Sequence, residues 1–229
     1  MEQNATPIGL PMLRTACTNI SIITNFGCNK NCWYCIWKDH PLKKEFSDIN
    51  YKLLDEFLCT SNATKVSLSG GGDPLYNYFG NLKFWKYIIN RTKEIGLRLD
   101  VHTREALPKQ NFWRKHINRC SFSSDSLNED REKLTYISWL TLLRIVHVVT
   151  QKTTFRMIDE YLDFQRKIGA GCQFTIKELV GFDDNGMYYK IKKYYPDLFA
   201  LDSGDYNIYF MPDNSIKTKF LDRGKNNHG

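Results

Sequence analysis

The chain is expected to fold as an α/β domain with a parallel sheet. Three observations lead there. Short β-branched or apolar runs alternate with helix-length amphipathic stretches six times in succession. Glycine or proline marks several of the junctions, at Gly70-Gly71-Gly72, Gly96, Pro108 and Gly169. The 229 residues, 42% hydrophobic and 25% charged, are enough for one sizeable core and ordinary for a globular protein.

Taken in order, residues 1–17 read as a polar arm with Pro7 and Pro11, and 19–26 as the first strand. A cysteine-rich loop follows, then a turn at Pro41 and the Lys43-Lys44-Glu45 group. Ser47 or Asp48 is positioned to cap a helix running to Cys59, with Ile49, Leu53, Leu54, Phe57 and Leu58 on one face. The second strand, 65–69, ends in Gly70-Gly71-Gly72-Asp73-Pro74, and a helix over 78–95 is stopped by Gly96. The third strand spans 97–103, and Pro108 opens a short helix to Ile117. The fourth, 119–124, leads through Asp125-Ser126-Leu127-Asn128 into a helix ending near Leu140. A β-branched strand over 143–150, a helix over 155–168 stopped by Gly169, a strand over 171–179 and a helix over 187–195 complete the series. Residues 205–211 and 215–220, around Pro212-Asp213-Asn214, read as a terminal hairpin. The organisation expected is an arm (1–17), a core (18–198) and a C-terminal hairpin with tail (199–229).

Cys28, Cys32 and Cys35 stand close together at the end of the first strand, separated by three and two residues. Thiolates are soft ligands that suit iron–sulfur clusters or zinc. Three thiols on a four-iron cube would leave one iron open to a substrate or cofactor. The remaining cysteines, Cys17, Cys59, Cys120 and Cys172, are scattered singly and read as small structural residues.

Cys28-x3-Cys32-x2-Cys35, with Tyr34 before the last cysteine, resembles the signature of the radical SAM (S-adenosylmethionine) superfamily. The resemblance implies a partial (βα)6 TIM-like barrel over residues 18–198, a [4Fe–4S] cluster on the three cysteines, and SAM chelated at the open iron. It implies reductive cleavage of SAM to a 5′-deoxyadenosyl radical, an oxidoreductase-type chemistry whose electron comes from an external flavodoxin or ferredoxin. Gly71-Gly72-Asp73-Pro74 is similar to the family's Gly-Gly-Glu-Pro motif, which meets the methionine amine of SAM. It places Gly70, Gly71, Gly72 and Asp73 beside the cofactor, with Asp73 one methylene shorter than the usual Glu. Ser123-Ser124-Asp125-Ser126 resembles the Ser-x-Asp-Ser stretch near SAM's ribose and carboxylate, so Ser123 and Asp125 join Tyr34 and Thr103 as expected cofactor contacts. The plainer reading of Asp125 is a helix cap.

The strands alternate instead of reading as continuous apolar runs. Arg98, Asp100, His102 and Arg104 share one face of the third, and Gln173, Thr175 and Lys177 one face of the sixth. Asn19, Ser21 and Asn25, and Ser67 with Ser69, do the same in the first two. A half-exposed sheet would alternate in this way, and so would a hydrated cavity. The cavity is favoured because the cysteine and glycine loops already mark one end of the sheet. His102, Arg104 and Lys177 are then the expected substrate contacts, suited to a phosphate or carboxylate.

The 32 Lys+Arg against 25 Asp+Glu give a formal charge of +7. That charge suits a solvated surface, an acidic electron donor, or an anionic substrate such as a nucleotide or nucleic acid. No apolar run approaches the roughly 18–20 residues of a membrane span, and residues 1–18 lack signal-peptide character. A cytoplasmic protein without a membrane partner is expected. Two other readings stand beside the enzyme. An activase that installs a glycyl radical on a partner is one, although such relatives carry Asn where Trp37 stands here. A zinc-stabilised nucleic-acid module is the other, from Cys32, Cys35 and His40 with Cys28 as a fourth ligand, although Glu45 occupies the fourth position of a zinc knuckle.

Overall fold

The structure, a computed structural model, describes residues 19–24, 26–30, 32, 34–35, 48–106, 110–179, 184–199 and 207–218. The expected arm, the turn at Pro41, Trp37, His40, Glu45 and Cys17 lie outside these residues, as does most of the tail.

Strand and helix alternate as expected: β1 (Asn19–Ile22), α1 (Tyr51–Thr60), β2 (Lys65–Leu68), α2 (Leu82–Glu94), β3 (Arg98–Thr103), α3 (Gln110–His116), β4 (Arg119–Ser123), α4 (Leu127–Ser138), β5 (Leu142–Val148), α5 (Phe155–Ile168), β6 (Cys172–Lys177) and α6 (Met187–Tyr194), then β7 (Asn207–Phe210) and β8 (Ile216–Lys217). The order across the sheet is β6-β5-β4-β3-β2-β1-β7-β8, parallel except for the β7–β8 pair. The sheet is open, with β6 and β8 at its edges.

Consecutive order with right-handed crossovers puts the helices on one side, and the core follows. Ile20, Ile22, Val66, Leu68, Leu99, Val101, Cys120, Phe122, Ile145, Phe174 and Ile176 form one cluster with the apolar stripes of the helices. Tyr161 of α5 stacks on Phe174 of β6 at 4.8 Å between centroids, and Phe57 of α1 on Phe210 of β7 at 6.4 Å. The opposite face carries the polar half of each alternation. Strand register lines these residues up in rows across the sheet, such as Ser21, Ser67, Asp100 and Arg119. Asn19, Ser21, Ser67, Asp100, Ser121 and Thr175 on that face are all buried.

Several boundaries differ from expectation for local reasons. Asn50 caps α1, accepting from the Leu53 amide at 3.1 Å, so Ile49 precedes the helix and neither Ser47 nor Asp48 opens it. Residues 74–80 form turns, and α2 begins only at Leu82. Gly96 and Gly169 end α2 and α5 with φ of +74° and +86°, the left-handed region that glycine enters without steric cost. The C-terminal hairpin forms, but its first strand pairs in parallel with β1 and extends the main sheet. Asn19 donates to Asn207 across that join. Cys120 and Cys172 are buried in the core, while Cys59 is exposed and accepts from Arg91 instead of packing as an apolar residue.

Candidate active site at the carboxyl ends of the strands

Beyond β1 and β2 the two segments stay zipped together. Phe26 donates to the Gly71 carbonyl at 3.0 Å, Asp73 to the Gly27 carbonyl at 2.8 Å, and Gly27 and Gly72 form an isolated parallel bridge. The glycines are required by this approach. A Cβ on Gly71 would lie 1.9 Å from the Thr24 carbonyl oxygen, and one on Gly72 2.2 Å from that of Gly27. Both also have positive φ, as does Gly70. The glycine loop is thus bare because it holds the root of the cysteine loop. In the direction a Cβ would take, Gly71 and Gly72 meet the backbone of Thr24 and Gly27.

Asp73 fastens this loop to β3. Its Oδ1 accepts from Thr103 Oγ1 at 2.6 Å and from the Leu75 amide at 2.9 Å, and its Oδ2 from the Arg104 amide at 2.7 Å. Burial raises its pKa against the pull of those three donors. Both oxygens and the Thr103 hydroxyl are occupied within the protein, and Thr103 is itself buried. The Asp73 and Thr103 side chains thus form a strap that positions the glycine loop, whose backbone is the part expected beside the cofactor.

Immediately after β3, Arg104 reaches into the cysteine loop. Its Nη1 lies 3.0 Å from Cys32 Sγ and 2.7 Å from Asp125 Oδ2. Tyr34 donates its hydroxyl to the other oxygen of Asp125. Burial opposes the charge on Arg104, but Asp125, Cys32 and Tyr34 together carry its pKa above the usual value. Burial, then the Asp125 hydrogen bond and charge, raise that of Tyr34. Arg104, expected to contact substrate, reaches the cysteine loop and Asp125 through its Nη1. Lys30 adds a second tie to the same strand end, pairing with Glu105 at 2.6 Å.

Cys28 is exposed, and Cys32 and Cys35 are partly buried. Burial raises the Cys28 pKa, with the Lys30 amide donating to its sulfur at 3.3 Å in opposition and Asp73, Cys32 and Cys35 adding to the rise. Among the described residues no three His, Cys, Asp or Glu side chains converge so that one metal ion could sit between them. A tetrahedral zinc ion asks for such convergence. A four-iron cube does not, since each sulfur takes a different iron. Three soft thiols in one loop, with a guanidinium against one of them, fit an anionic iron–sulfur cluster.

The other expected residues are more dispersed. Ser123 ends β4 on the polar face, half-buried beside Val146. His102 is half-buried in β3 next to Ser121, two residues before Arg104. Lys177 ends β6 at the edge of the sheet, three strands from β3. Behind Asp125 lies a buried network that sequence reasoning did not find. His147 bonds the Ser124 carbonyl and Thr153 Oγ1, each at 3.0 Å, and Ser124 Oγ bonds Asp130 and Tyr161, each at 2.8 Å. This network fixes the turn from which Asp125 projects. Its one sequence signal was a histidine on the apolar face of a β-branched strand.

No family model matches the chain, and no curated protein matches it. Among solved structures, the crystal structure of BtrN in complex with AdoMet and 2-DOIA is similar in outline. The identity is 15% and the TM-score 0.42, over 90% of this chain and 74% of that one. At that level of similarity the residues of this chain carry the functional reading.

Proposed function

We propose that the protein is a radical SAM enzyme built on a (βα)6 half-barrel. The observation that carries this reading is the meeting of three separate motifs at one end of the sheet: Arg104 joins Cys32 to Asp125, and the glycine loop is zipped to the root of the cysteine loop. These motifs are tens of residues apart in sequence, and each resembles a part of one cofactor site.

Cys28, Cys32 and Cys35 would hold a [4Fe–4S] cluster, and the backbone of the glycine loop, Ser123 and the Tyr34–Asp125 pair would border SAM. The cluster and SAM supply radical formation by one-electron cleavage of the sulfonium. The chain orients them: Asp73 and Thr103 hold the glycine loop, and Arg104 holds Cys32 in place while offsetting negative charge on its sulfur. His102 and Lys177, on the polar face, would meet a polar or anionic substrate, with a nucleotide or nucleic-acid base as candidates. An acidic flavodoxin or ferredoxin suits the net positive charge as the electron source.

The test is anaerobic reconstitution with iron and sulfide. The protein should turn brown, bleach with dithionite, and release 5′-deoxyadenosine from SAM, and Cys32→Ala should abolish both cluster and product. A colourless protein that retains zinc would contradict the reading.

A further inference from the structure

Ser124 occupies the one position of Ser123-Ser124-Asp125-Ser126 for which the resemblance specifies no residue type. Side chains alternate along the end of β4, and Phe122 lies in the core. Ser124 therefore points inward with Phe122, while Ser123 turns to the polar face and Asp125 to Tyr34 and Arg104.

On that inner side every hydrogen-bonding group of Ser124 is occupied. Its amide donates to the Val146 carbonyl at 2.9 Å, and its carbonyl faces His147 Nδ1 at 3.0 Å. Its hydroxyl lies 2.8 Å from both Asp130 Oδ2 and Tyr161 Oη. β5, α4 and α5 thus converge on one residue, and Ser124, Asp130, His147, Thr153 and Tyr161 are all buried.

The partners decide where each proton sits. A carbonyl only accepts, so His147 Nδ1 carries the hydrogen. Thr153 Oγ1 already accepts from the Thr150 amide at 2.9 Å, and its own proton goes to the bare Nε2 of His147, 3.0 Å away. The Ser124 hydroxyl donates to Asp130, which leaves Tyr161 to donate to Ser124. Burial disfavours a second proton on the imidazole, with the Ser124 carbonyl and Asp125 opposing. His147 is a neutral donor aimed at the backbone one residue before Asp125, and its loss would strand a buried carbonyl.

We propose that His147 and Ser124 are positioning residues of the cofactor site, clamping the turn after β4 so that Ser123 and Asp125 present their side chains to the cofactor. The identity of that cofactor rests on the radical SAM reading; the clamp itself is measurable in the metal-free chain.

The test compares His147→Leu with His147→Asn. Leucine keeps most of the bulk and loses the donor, whereas asparagine loses bulk and sets an amide NH2 near the place of Nδ1. Packing alone would favour the leucine variant, and positioning the asparagine variant. In the full metal-free chain, amide exchange over residues 124–128 should accelerate several-fold in His147→Leu and return toward the wild-type rate in His147→Asn. Nitrogen NMR of the histidine-labelled wild type should show His147 protonated on Nδ1 and bare on Nε2. After anaerobic reconstitution, His147→Leu should need about tenfold more SAM for half-maximal 5′-deoxyadenosine at unchanged cluster content, and His147→Asn should recover most of that loss. Ser124→Ala, which is nearly isosteric, should behave as His147→Leu does and keeps the test decisive where the leucine variant fails to fold.

A ring protonated on Nε2 alone, exchange no slower in the asparagine than in the leucine variant, or an unchanged SAM requirement in Ser124→Ala would overturn the proposal. Wild-type protein that assembles a cluster and leaves SAM intact would overturn the radical SAM reading instead, with the exchange and NMR results still deciding the clamp.

Discussion

Arg104 Nη1 lies 2.7 Å from Asp125 Oδ2, joining the end of β3 to the turn after β4 across the cysteine loop. The same nitrogen reaches Cys32 Sγ at 3.0 Å. One side chain therefore couples Cys32 to a strand end and to the neighbouring loop. This coupling shapes several expected outcomes.

Arg104→Gln should shift the reduction potential of the reconstituted cluster to a more negative value. A cation and a hydrogen bond at a ligand sulfur favour the reduced, more negatively charged state. A hydrogen bond to a charged group worth about 1.4 kcal/mol corresponds to about 60 mV for one electron. A redox titration followed by electron paramagnetic resonance checks this, and an unchanged potential would show that Arg104 serves position alone.

Asp125→Ala should loosen the loop before any metal is bound. The Arg104–Asp125 pair is partly exposed, with side chains 21% and 42% accessible, so its loss should cost only about 1 kcal/mol of stability. The local effect should be larger than the global one. Amide exchange across the described part of residues 28–35 should accelerate several-fold while exchange in β3 to β5 stays unchanged.

Gly71→Ala and Gly72→Ala should each prevent the two loops from closing, because the added methyl meets backbone at about 2 Å and backbone cannot swing aside. Loss of soluble, cooperatively melting protein is expected. Gly96→Ala is the control: it also has positive φ, but nothing lies within 4 Å of the added methyl, so a cost of about 1 kcal/mol is expected. Thermal melts of the three variants separate steric closeness from backbone conformation.

Stability should fall as pH drops below neutrality, in part through His147. Burial lowers its folded pKa below the ordinary 6.5, with the Ser124 carbonyl and Asp125 opposing. Below that value the unfolded chain takes up a proton that the folded chain refuses. Stability is therefore lost from 6.5 downward, at up to about 1.4 kcal/mol per pH unit, until the folded pKa is reached. His116 is shifted in the same direction by burial and by Lys115 and Lys93. His147→Gln should consequently flatten only part of the slope of urea midpoint against pH.

Much of this organisation was legible in the chain because it is local. Alternating strand faces, glycine stops at Gly96 and Gly169, and the cysteine and glycine loops all follow from neighbouring residues. The convergence of Cys32, Tyr34 and Asp125 was legible only through motif resemblance, since nothing near Asp125 in sequence indicates that it meets Tyr34. What escaped was long-range. The pairing of β7 with β1 joins residues 188 positions apart through Asn19 and Asn207. Asp73 gave no sign that Thr103 and the Arg104 amide would occupy both its oxygens. The close approach of Gly71 and Gly72 to the cysteine loop was not legible either, because a glycine that admits a ligand and one that admits another strand look identical in sequence.

The most direct measurement is product analysis of SAM incubated with the anaerobically reconstituted, dithionite-reduced protein. The account predicts 5′-deoxyadenosine and methionine, formed in proportion to cluster content and absent from Cys28→Ala, Cys32→Ala and Cys35→Ala. Intact SAM in the presence of a fully assembled, reducible cluster would contradict it.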